Sequence, residues 1–367
     1  MKYQILENIC QKVSSNIKQS DLVNNNGDYP IYGASGFIKN VDFYMQDKPY
    51  IGIVKDGAGV GRVTKLPAFS SVIGTMQYII PNDDIDVSYL AYAMEHMNLS
   101  KYYMGAAIPH IYFKDYKNEK LPNHTKDEQA QIVHKLDLIC DLITKRNNQL
   151  SKLDELIKSR FVEMFGDIYS NTHKFPVESL SDSILFLTSG SRGWAKYCVD
   201  SGKEWFITIK NVKDCRISTD DIQAINAPKN AEANRTRVNE GDLLISITAD
   251  LGRTGVITKE IANHGAYINQ HLTCIRLDRN KLNPLFVAYF MESESGKPQF
   301  EAKNQNGVKA GLNFDSIKSL KVLIPPIELQ NQFADFVTQV EKQKTTVQQS
   351  IDKLETLKNS LMQEYFN

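Results

Sequence analysis

The spacing of apolar residues along the chain predicts two long helices. The first stretch carries an apolar series at Ile132, Leu136, Ile139, Ile143, Leu150, Leu153, Ile157 and Met164. The second carries the series Phe333, Val337, Val340, Val347, Ile351, Leu354, Leu361 and Tyr365. Steps of three, four and seven average about 3.5 residues, the period of a coiled coil. Neither stretch contains proline or glycine, and each follows a proline-bearing segment, as is typical just before a helix begins.

The two helical stretches are copies of one another. Gln129 aligns with Gln330, and the same spacing of 201 residues holds without a gap to the end of both stretches. A weaker similarity relates residues 91–94 to residues 288–291 in the regions before the helices. Because internal repeats reveal architecture, the chain is predicted to run as globule, helix, globule, helix.

Charged residues interrupt the apolar series at different places in the two helices. Arg146 and Arg160 interrupt the first, whereas Lys344 and Lys358 interrupt the second. Unmatched interruptions favour pairing of two non-identical helices of one chain. If the two helices pair antiparallel, the end of the chain returns near Met1 and the arrangement is near-circular. The alternative is two independent amphipathic helices, each docked on its own globule.

Each globule is predicted to be α+β, with a mixed sheet plus helices. Apolar runs at residues 50–54, 77–80, 243–247 and 272–275 read as buried strands, and residues 88–97 and 284–292 read as short helices. The predicted domains are residues 1–125 for the first globule, 126–165 for the first helix, 166–326 for the second globule and 327–367 for the second helix.

Composition narrows the class of protein. The 367 residues suffice for two domains, and 43 basic residues balance 43 acidic ones, which does not indicate a non-specific nucleic-acid coat. The sequence shows no secretory signal and no apolar run of about 18 residues, so a cytoplasmic protein without a membrane span is expected. Five cysteines without a CxxC pair argue against a disulfide framework or a zinc ribbon.

Two short motifs imitate catalytic sites. Residues 57–61 are glycine-rich and follow a strand, as in a methyltransferase cofactor loop, but a strand-like segment follows them, so a β-hairpin is predicted. Asn283 and Pro284 begin a segment similar to an adenine-methylase tetrad, and we interpret them as the start of a helix. The seven histidines lack metal-ligand spacing. The sequence therefore predicts no catalytic residues and no metal site.

These segments, taken in order, resemble the specificity subunit of Type I restriction–modification systems over essentially the whole chain. Residues 27–36 look like the family's opening loop, and residues 56–63 look like its glycine-rich hairpin, with residues 250–256 as their counterpart. Residues 323–330 look like the Pro-Pro…Glu-Gln segment that leads into the family's conserved helix. Residues 121–124 depart from that pattern because they contain a single proline.

The resemblance implies a division of labour between this chain and partner subunits. The globules would be two pseudo-repeated target-recognition domains, each reading one half of a split site in double-stranded DNA. The helices would pack antiparallel, set the gap and bind two modification (methyltransferase) subunits, which use S-adenosylmethionine. Restriction subunits would supply cleavage and translocation with ATP and Mg, and this chain would bind no cofactor and catalyse nothing alone.

Two other functions remain open on the sequence. The chain could be the recognition portion of a split methyltransferase–nuclease of another restriction type, although both catalytic modules are missing. It could also be a scaffold that binds only proteins, although such a scaffold has no need for two divergent globules on similar helices.

Candidate contact residues follow from the chemistry of base and phosphate recognition. Arg and Lys suit guanine, Asn and Gln suit adenine, and small polar groups suit phosphates. The DNA-binding candidates are Tyr32, Ser35, Lys55, Arg62, Thr75 and Gln77 in the first globule and Ser189, Ser191, Arg192, Trp194, Lys196, Asn211, Arg253, Thr254, Asn269, Gln270 and His271 in the second. The partner-binding candidates on the helices are Leu138, Leu142, Leu156, Leu357 and Phe366. For each DNA-binding candidate alone, the alternative is a solvated loop side chain.

Overall fold

A computed structural model of the protein describes residues 2–105, 109–304 and 311–367. The chain forms two compact units. Unit 1 combines Met1–Gln149 with Val347–Asn367, and unit 2 is Leu150–Thr346. Each unit therefore holds one globule together with a part of both long helices.

Unit 1 contains nine strands among its described residues. In chain order its elements are β1 (Tyr3–Ile5), α1 (Leu6–Ile9), β2 (Cys10–Ser14), β3 (Tyr29–Gly33), β4 (Gly36–Val41), β5 (Tyr50–Val54), β6 (Val63–Leu66), β7 (Ser71–Val72), β8 (Met76–Pro81), α2 (Val87–His96), α3 (Phe113–Tyr116), β9 (Lys120–Pro122) and the long helix α4 (Lys126–Phe165), which continues into unit 2. The central sheet is antiparallel in the order β2-β8-β5-β6. A second sheet has the order β4-β3-β7, and β1 pairs with β9.

Unit 2 repeats this plan with additional strands. Its elements are β10 (Val177–Ser179), β11 (Ile184–Ser189), β12 (Cys198–Val199), β13 (Glu204–Ile207), β14 (Val212–Lys213), β15 (Arg216–Ile217), β16 (Gln223–Ile225), α5 (Ala231–Thr236), β17 (Leu243–Ser246), β18 (Thr254–Val256), α6 (Lys259–His264), β19 (Ala266–Ile268), β20 (Leu272–Leu277), α7 (Pro284–Glu292), α8 (Lys297–Lys303), α9 (Phe314–Lys318), β21 (Lys321–Leu323) and the long helix α10 (Ile327–Phe366), which ends in unit 1. The central sheet is β11-β20-β17-β18, and β10 pairs with β21. The extra strands form the sheet β12-β16-β13-β19 and the hairpin β14-β15.

The predicted α+β class is confirmed in both globules. The predicted buried strands correspond to β5, β8, β17 and β20, and the predicted short helices correspond to α2 and α7. Asn283 caps α7 as expected, because its side-chain oxygen accepts a hydrogen bond from the backbone nitrogen of Leu285 at 2.9 Å with Pro284 in the first turn.

The long helices pack against each other in antiparallel fashion within each unit. In unit 1, Lys135 Nζ lies 3.2 Å from the Tyr365 hydroxyl, and further along, Ile143 and Lys358 line one groove. In unit 2, Asp154 contacts Lys344, and further along, the rings of Phe161 and Phe333 are 5.3 Å apart. These contacts exclude two independently docked helices. The last residue, Asn367, accepts a hydrogen bond from Tyr3 at 3.3 Å, whereas Met1 lies outside the described residues.

The predicted apolar series is wrong at the far end of each helix. The buried residues there are Phe161 and Phe165 in α4 and Met362 and Phe366 in α10, whereas Met164, Leu361 and Tyr365 are only half-buried. A helix of 3.6 residues per turn drifts away from a 3.5-residue series. Each helix end also packs on the short helix of a globule: the Phe161 ring stacks on Phe286 and the Phe366 ring packs on Tyr89.

Candidate nucleic-acid interface and helix surfaces

The glycine-rich segment of unit 1 is a β-hairpin, as predicted. It joins β5 to β6, which pair in antiparallel register. Gly57, Gly59 and Gly61 have backbone φ values of +81°, +88° and +85°, which residues other than glycine rarely adopt. At Gly61 a Cβ would also lie 2.5 Å from the backbone nitrogen of Ser100. Because a strand follows the loop, it offers no helix N-terminus to a cofactor phosphate.

Three chain segments meet at the hairpin end of the central sheet in unit 1. The backbone nitrogen of Lys55 donates to the Thr75 carbonyl at 3.0 Å, and the nitrogen of Gly57 donates to the Pro109 carbonyl at 2.9 Å. The His110 ring contacts the Asp56 carboxylate and packs on Tyr112 with ring centroids 4.0 Å apart and the ring planes tilted by 53°. Sequence reasoning considered His110 only as a metal ligand and did not consider Tyr112, since its place at this edge depends on tertiary pairing.

The remaining candidates of unit 1 divide into accessible and buried side chains. Arg62 and Ser35 are exposed, and Arg62 donates to the Ala34 carbonyl at 3.0 Å, so the hairpin and the β3–β4 turn present them together. Tyr32, Lys55 and Thr75 are half-buried. Gln77 lies in the core.

Burial argues against a DNA contact by Gln77. The side chain is 2% exposed, and its amide nitrogen donates to the Tyr116 hydroxyl at 2.5 Å. Burial also raises the pKa of Tyr116, which keeps this hydroxyl neutral. The predicted role for Gln77 is corrected to an internal hydrogen bond of the globule.

The loop after β11 in unit 2 is built against two other segments. Gly190 permits close approach, since a Cβ there would lie 2.0 Å from the Asn269 carbonyl oxygen. Arg235, which sequence reasoning did not single out, donates to the Ser189 carbonyl at 2.8 Å and lies 3.5 Å from the Ser191 hydroxyl. Arg192 is exposed on this loop. The loop is therefore held in place with one guanidinium free to contact a ligand.

Further candidates of unit 2 line the same end of its central sheet. His271 Nδ1 lies 2.6 Å from the Thr248 hydroxyl, and its Nε2 lies 3.1 Å from the Gln270 amide nitrogen. The Asn269 side chain accepts a hydrogen bond from the backbone nitrogen of His271 at 3.1 Å. Arg253 pairs with Asp250 in the β17–β18 loop. Lys196 is exposed, whereas Ser191 and Asn269 are buried.

Three candidates of unit 2 serve the internal structure instead of a surface. Trp194 is 2% exposed and stacks on Phe206 with centroids 6.0 Å apart, so it cannot pack on a sugar as predicted. Buried Thr254 donates to the Ala288 carbonyl at 3.1 Å. The buried Asn211 side chain accepts from the backbone nitrogen of Thr208 at 2.9 Å, which caps a short helical turn.

Four of the five partner-binding candidates lie on exposed helix surfaces. Leu138, Leu142 and Leu357 are exposed in unit 1, and Leu156 is exposed in unit 2. Exposed leucines on a helix are suited to contact with another protein. Phe366 is buried in the core of unit 1 beside Tyr89, so its predicted role in partner binding is corrected to a structural one.

No metal-binding cluster of three or more His, Cys, Asp or Glu side chains occurs in the part of the chain that the structure describes. All five cysteines are free. Of the helices in residues 2–105, 109–304 and 311–367, none is long and apolar enough to cross a membrane.

Known proteins share this sequence pattern and fold. The family model of the Type I restriction modification DNA specificity domain matches residues 2–152 and 201–356. The chain is 23% identical over 319 residues to the StySPI type I restriction enzyme specificity subunit of Salmonella potsdam. The aligned region covers 81% of this chain and 66% of that protein. It is 23% identical over 274 residues to the EcoKI specificity subunit of Escherichia coli K12, with 71% and 58% covered. The chain thus spans less than two thirds of these relatives' lengths.

Two solved structures share the fold. The S subunit of a Type-I restriction-modification system from M. genitalium aligns with 100% of this chain and 96% of its own, at a TM-score of 0.62 and 13% identity. The second is from a structure that describes complex assembly and conformational transition of the type I R-M system. It aligns with 99% of this chain and 97% of its own, at a TM-score of 0.57 and 14% identity. These identities support similarity of fold alone. Since the family model matches most of its length, the chain belongs to the Type I restriction modification DNA specificity domain family.

Proposed function

We propose that this chain is the DNA-recognition subunit of a Type I restriction–modification complex and reads a bipartite site in double-stranded DNA. The observation that carries the proposal is the repeated globule. Each unit presents a hairpin and loops at one end of a four-stranded sheet, and the family model matches a segment in both halves. Loops held on a rigid sheet are a common place for recognition residues.

The proposed contacts are those candidates that the fold leaves accessible. In unit 1 they are Tyr32, Ser35, Lys55 and Arg62, and Thr75 is left out because its hydroxyl oxygen is buried. In unit 2 they are Ser189, Arg192, Lys196, Arg253, Gln270 and His271, with the buried Ser191 and Asn269 supporting the loop backbone. Arg and Lys supply phosphate and guanine contacts, while Gln suits adenine.

The proposed partners are two modification subunits bound on the long helices and restriction subunits added to that assembly. S-adenosylmethionine, ATP and Mg would be bound by those partners and not by this chain. We expect the complex to act in the cytoplasm, where it meets the host chromosome.

Methylome sequencing of the host with and without this gene tests the proposal directly. Loss of a methylated motif made of two short half-sites and a fixed gap is the expected result. An unchanged methylome, with the modification subunits expressed, would contradict it.

The second candidate function is the recognition portion of a split methyltransferase–nuclease of another restriction type. In neither function does the purified chain catalyse a reaction alone, because both leave catalysis to other polypeptides. We expect the isolated chain to transfer no methyl group from labelled S-adenosylmethionine to unmethylated host-type DNA and to make no cut. Methyl transfer by the chain free of copurifying subunits would contradict both candidate functions.

A further inference from the structure

Four charged side chains connect the second globule to both long helices within unit 2. Arg216 on β15 places Nη1 2.5 Å from Glu341 Oε2 of α10 and Nη2 3.5 Å from Asp154 Oδ1 of α4. Lys344 of α10 contacts Asp154 and lies 3.6 Å from Glu341 Oε1. Two cations and two anions therefore form one network that spans three elements of the fold.

This network differs from an ordinary surface ion pair. An isolated exposed pair contributes little to stability, whereas networks and less exposed pairs contribute more. The Lys344 and Glu341 side chains are 12% and 25% exposed, whereas those of Arg216 and Asp154 are 40% and 47% exposed, so the network is shielded from solvent on one side only. Lys344 was an unexplained interruption of the apolar series in the sequence, and here it balances the two acids that Arg216 reaches.

The hairpin that carries Arg216 is held in a strained conformation. Asp214 and Cys215 in its turn have φ values of +52° and +61°, which cost energy in residues other than glycine. The backbone nitrogen of Cys215 donates to Glu292 Oε1 at 3.3 Å. Gly255 allows the close approach of β18, because a Cβ there would lie 2.6 Å from the Arg216 carbonyl oxygen. Tertiary contacts thus fix the backbone of the hairpin from which the Arg216 side chain extends.

The network lies at one end of the apolar contact between the globule and the helices. The other end of that contact is the aromatic cluster in which Phe161 of α4 and Phe333 of α10 pack with Phe286 of α7. Glu341 follows Phe333 by eight residues, or about 12 Å along the helix axis at about 1.5 Å per residue. Val337 and Val340 of α10 and Cys215 of the hairpin belong to the same buried cluster, so the network adds charged contacts at the end of a continuous apolar interface.

Unit 1 uses its own charged residue in a similar way. Lys358 of α10, the other lysine that interrupts the apolar series, places Nζ 2.9 Å from Glu95 Oε1 of α2. Both interrupting lysines therefore lie where a globule attaches to the helices.

We propose that Arg216, through Glu341 and Asp154, is a positioning residue that fixes the angle of the second recognition domain on the helices and thereby the gap between half-sites. This inference rests on the proposed function. The gap between half-sites would then depend on the angle at which the domain packs on the helices as well as on helix length. Gap selectivity would also be separable from base selectivity, because Arg216 contacts the helices and not the loops that present Arg192 and Gln270.

The experiment uses the chain assembled with its modification subunits. DNA duplexes carry both half-sites of the methylome motif with the native gap or with one base pair more or less. Arg216→Gln is expected to lower the preference for the native gap about tenfold, which corresponds to about 1.4 kcal/mol, with unchanged half-site bases. Arg216→Lys keeps the charge without the fork and is expected to retain part of the preference.

Two further variants separate positioning from general damage. Lys213 lies on the same hairpin, and its side chain is 70% exposed. The substitution Lys213→Gln removes this cation and should leave the preference for the native gap unchanged. In Arg216→Gln/Glu341→Gln the two losses should not add, because both remove one interaction.

Unchanged gap preference in Arg216→Gln, or relaxed bases in the second half-site with the gap preserved, would overturn the inference. A wild-type complex that recognises no bipartite site would instead refute the proposed function itself.

Discussion

At the scale of single residues, one buried glutamine connects the start of each long helix to its globule, Gln129 in α4 and Gln330 in α10. Gln330 accepts a hydrogen bond from the backbone nitrogen of Asn283 at 2.9 Å and donates to the carbonyls of Lys281 and Pro325 at 3.0 and 2.8 Å. In unit 1, Gln129 Oε1 accepts from the backbone nitrogen of Asp86 at 2.8 Å in the same manner. The repeat pointed to these glutamines, and their bonds explain why both copies carry one.

Gln330→Ala is expected to destabilise unit 2. The substitution would leave one donor and two acceptors, which are buried or partly buried, without the side chain, and this costs about 1–3 kcal/mol. Denaturant unfolding of the full chain measures the change. Gln332→Ala on the exposed side of the same helix is the matched control, and an equal effect from both variants would contradict the role assigned to Gln330.

Arg192 and Trp194 should behave differently although they share one loop. Exposed Arg192 is a proposed DNA contact, so Arg192→Ala should weaken binding to the cognate duplex by about 1–3 kcal/mol without changing the unfolding midpoint. Truncation of the buried Trp194 to alanine should instead lower the free energy of unfolding by about 3–5 kcal/mol. Fluorescence anisotropy with labelled DNA and thermal unfolding separate the two outcomes. Normal DNA affinity in Arg192→Ala would remove it from the interface.

Accessibility of single polar residues could be predicted only in part. Arg62 and Arg192 follow glycine-rich turns, a local signal that places them at the surface. Gln77 and Thr254 lie in or beside strands that are buried on both faces, so alternation of polar and apolar residues gives no information about them. Their partners, Tyr116 and Glu292, are distant in sequence and become neighbours only through the tertiary fold.

At the scale of elements, the long helices were the most predictable feature and their ends the least. A repeat of 40-residue helices gives a strong periodic signal. The helix ends depart from the periodic signal because Phe165 and Phe366 also pack on aromatic rings of the short helices, Phe286 and Tyr89. Contacts with a globule cannot be read from the periodicity of a helix.

The exposed leucines of the helices lead to a prediction about assembly. Leu156→Glu with Leu357→Glu should weaken binding of modification subunits, because a charge placed in an apolar interface must be desolvated without a partner. Both side chains are 47% exposed, so the chain itself should unfold at its normal midpoint. Sedimentation of the mixed subunits measures the loss. Normal assembly by this double variant would exclude these leucines from the docking surface, and Thr144→Glu elsewhere on α4 is the control.

At the scale of the whole molecule, the division into two units places one unit boundary within each long helix. The boundaries fall after Gln149 in α4 and after Thr346 in α10. Each globule shares a core with the helix segments of its own unit. Under the proposed function, half-site reading would belong to the units and half-site separation to the helix segments that continue from one unit into the other.

Matched insertions of four residues after Gln149 and after Thr346 should lengthen the recognised gap. Four residues add about 6 Å at about 1.5 Å per residue, which on B-DNA corresponds to one or two base pairs at about 3.4 Å each. They rotate the apolar face by only about 40°, which supercoiling can absorb, whereas two residues rotate it by about 200° and should abolish activity. Methylome sequencing reads the gap and the bases together. An unchanged gap, or altered bases in either half-site, would mean that the long helices do not set the separation.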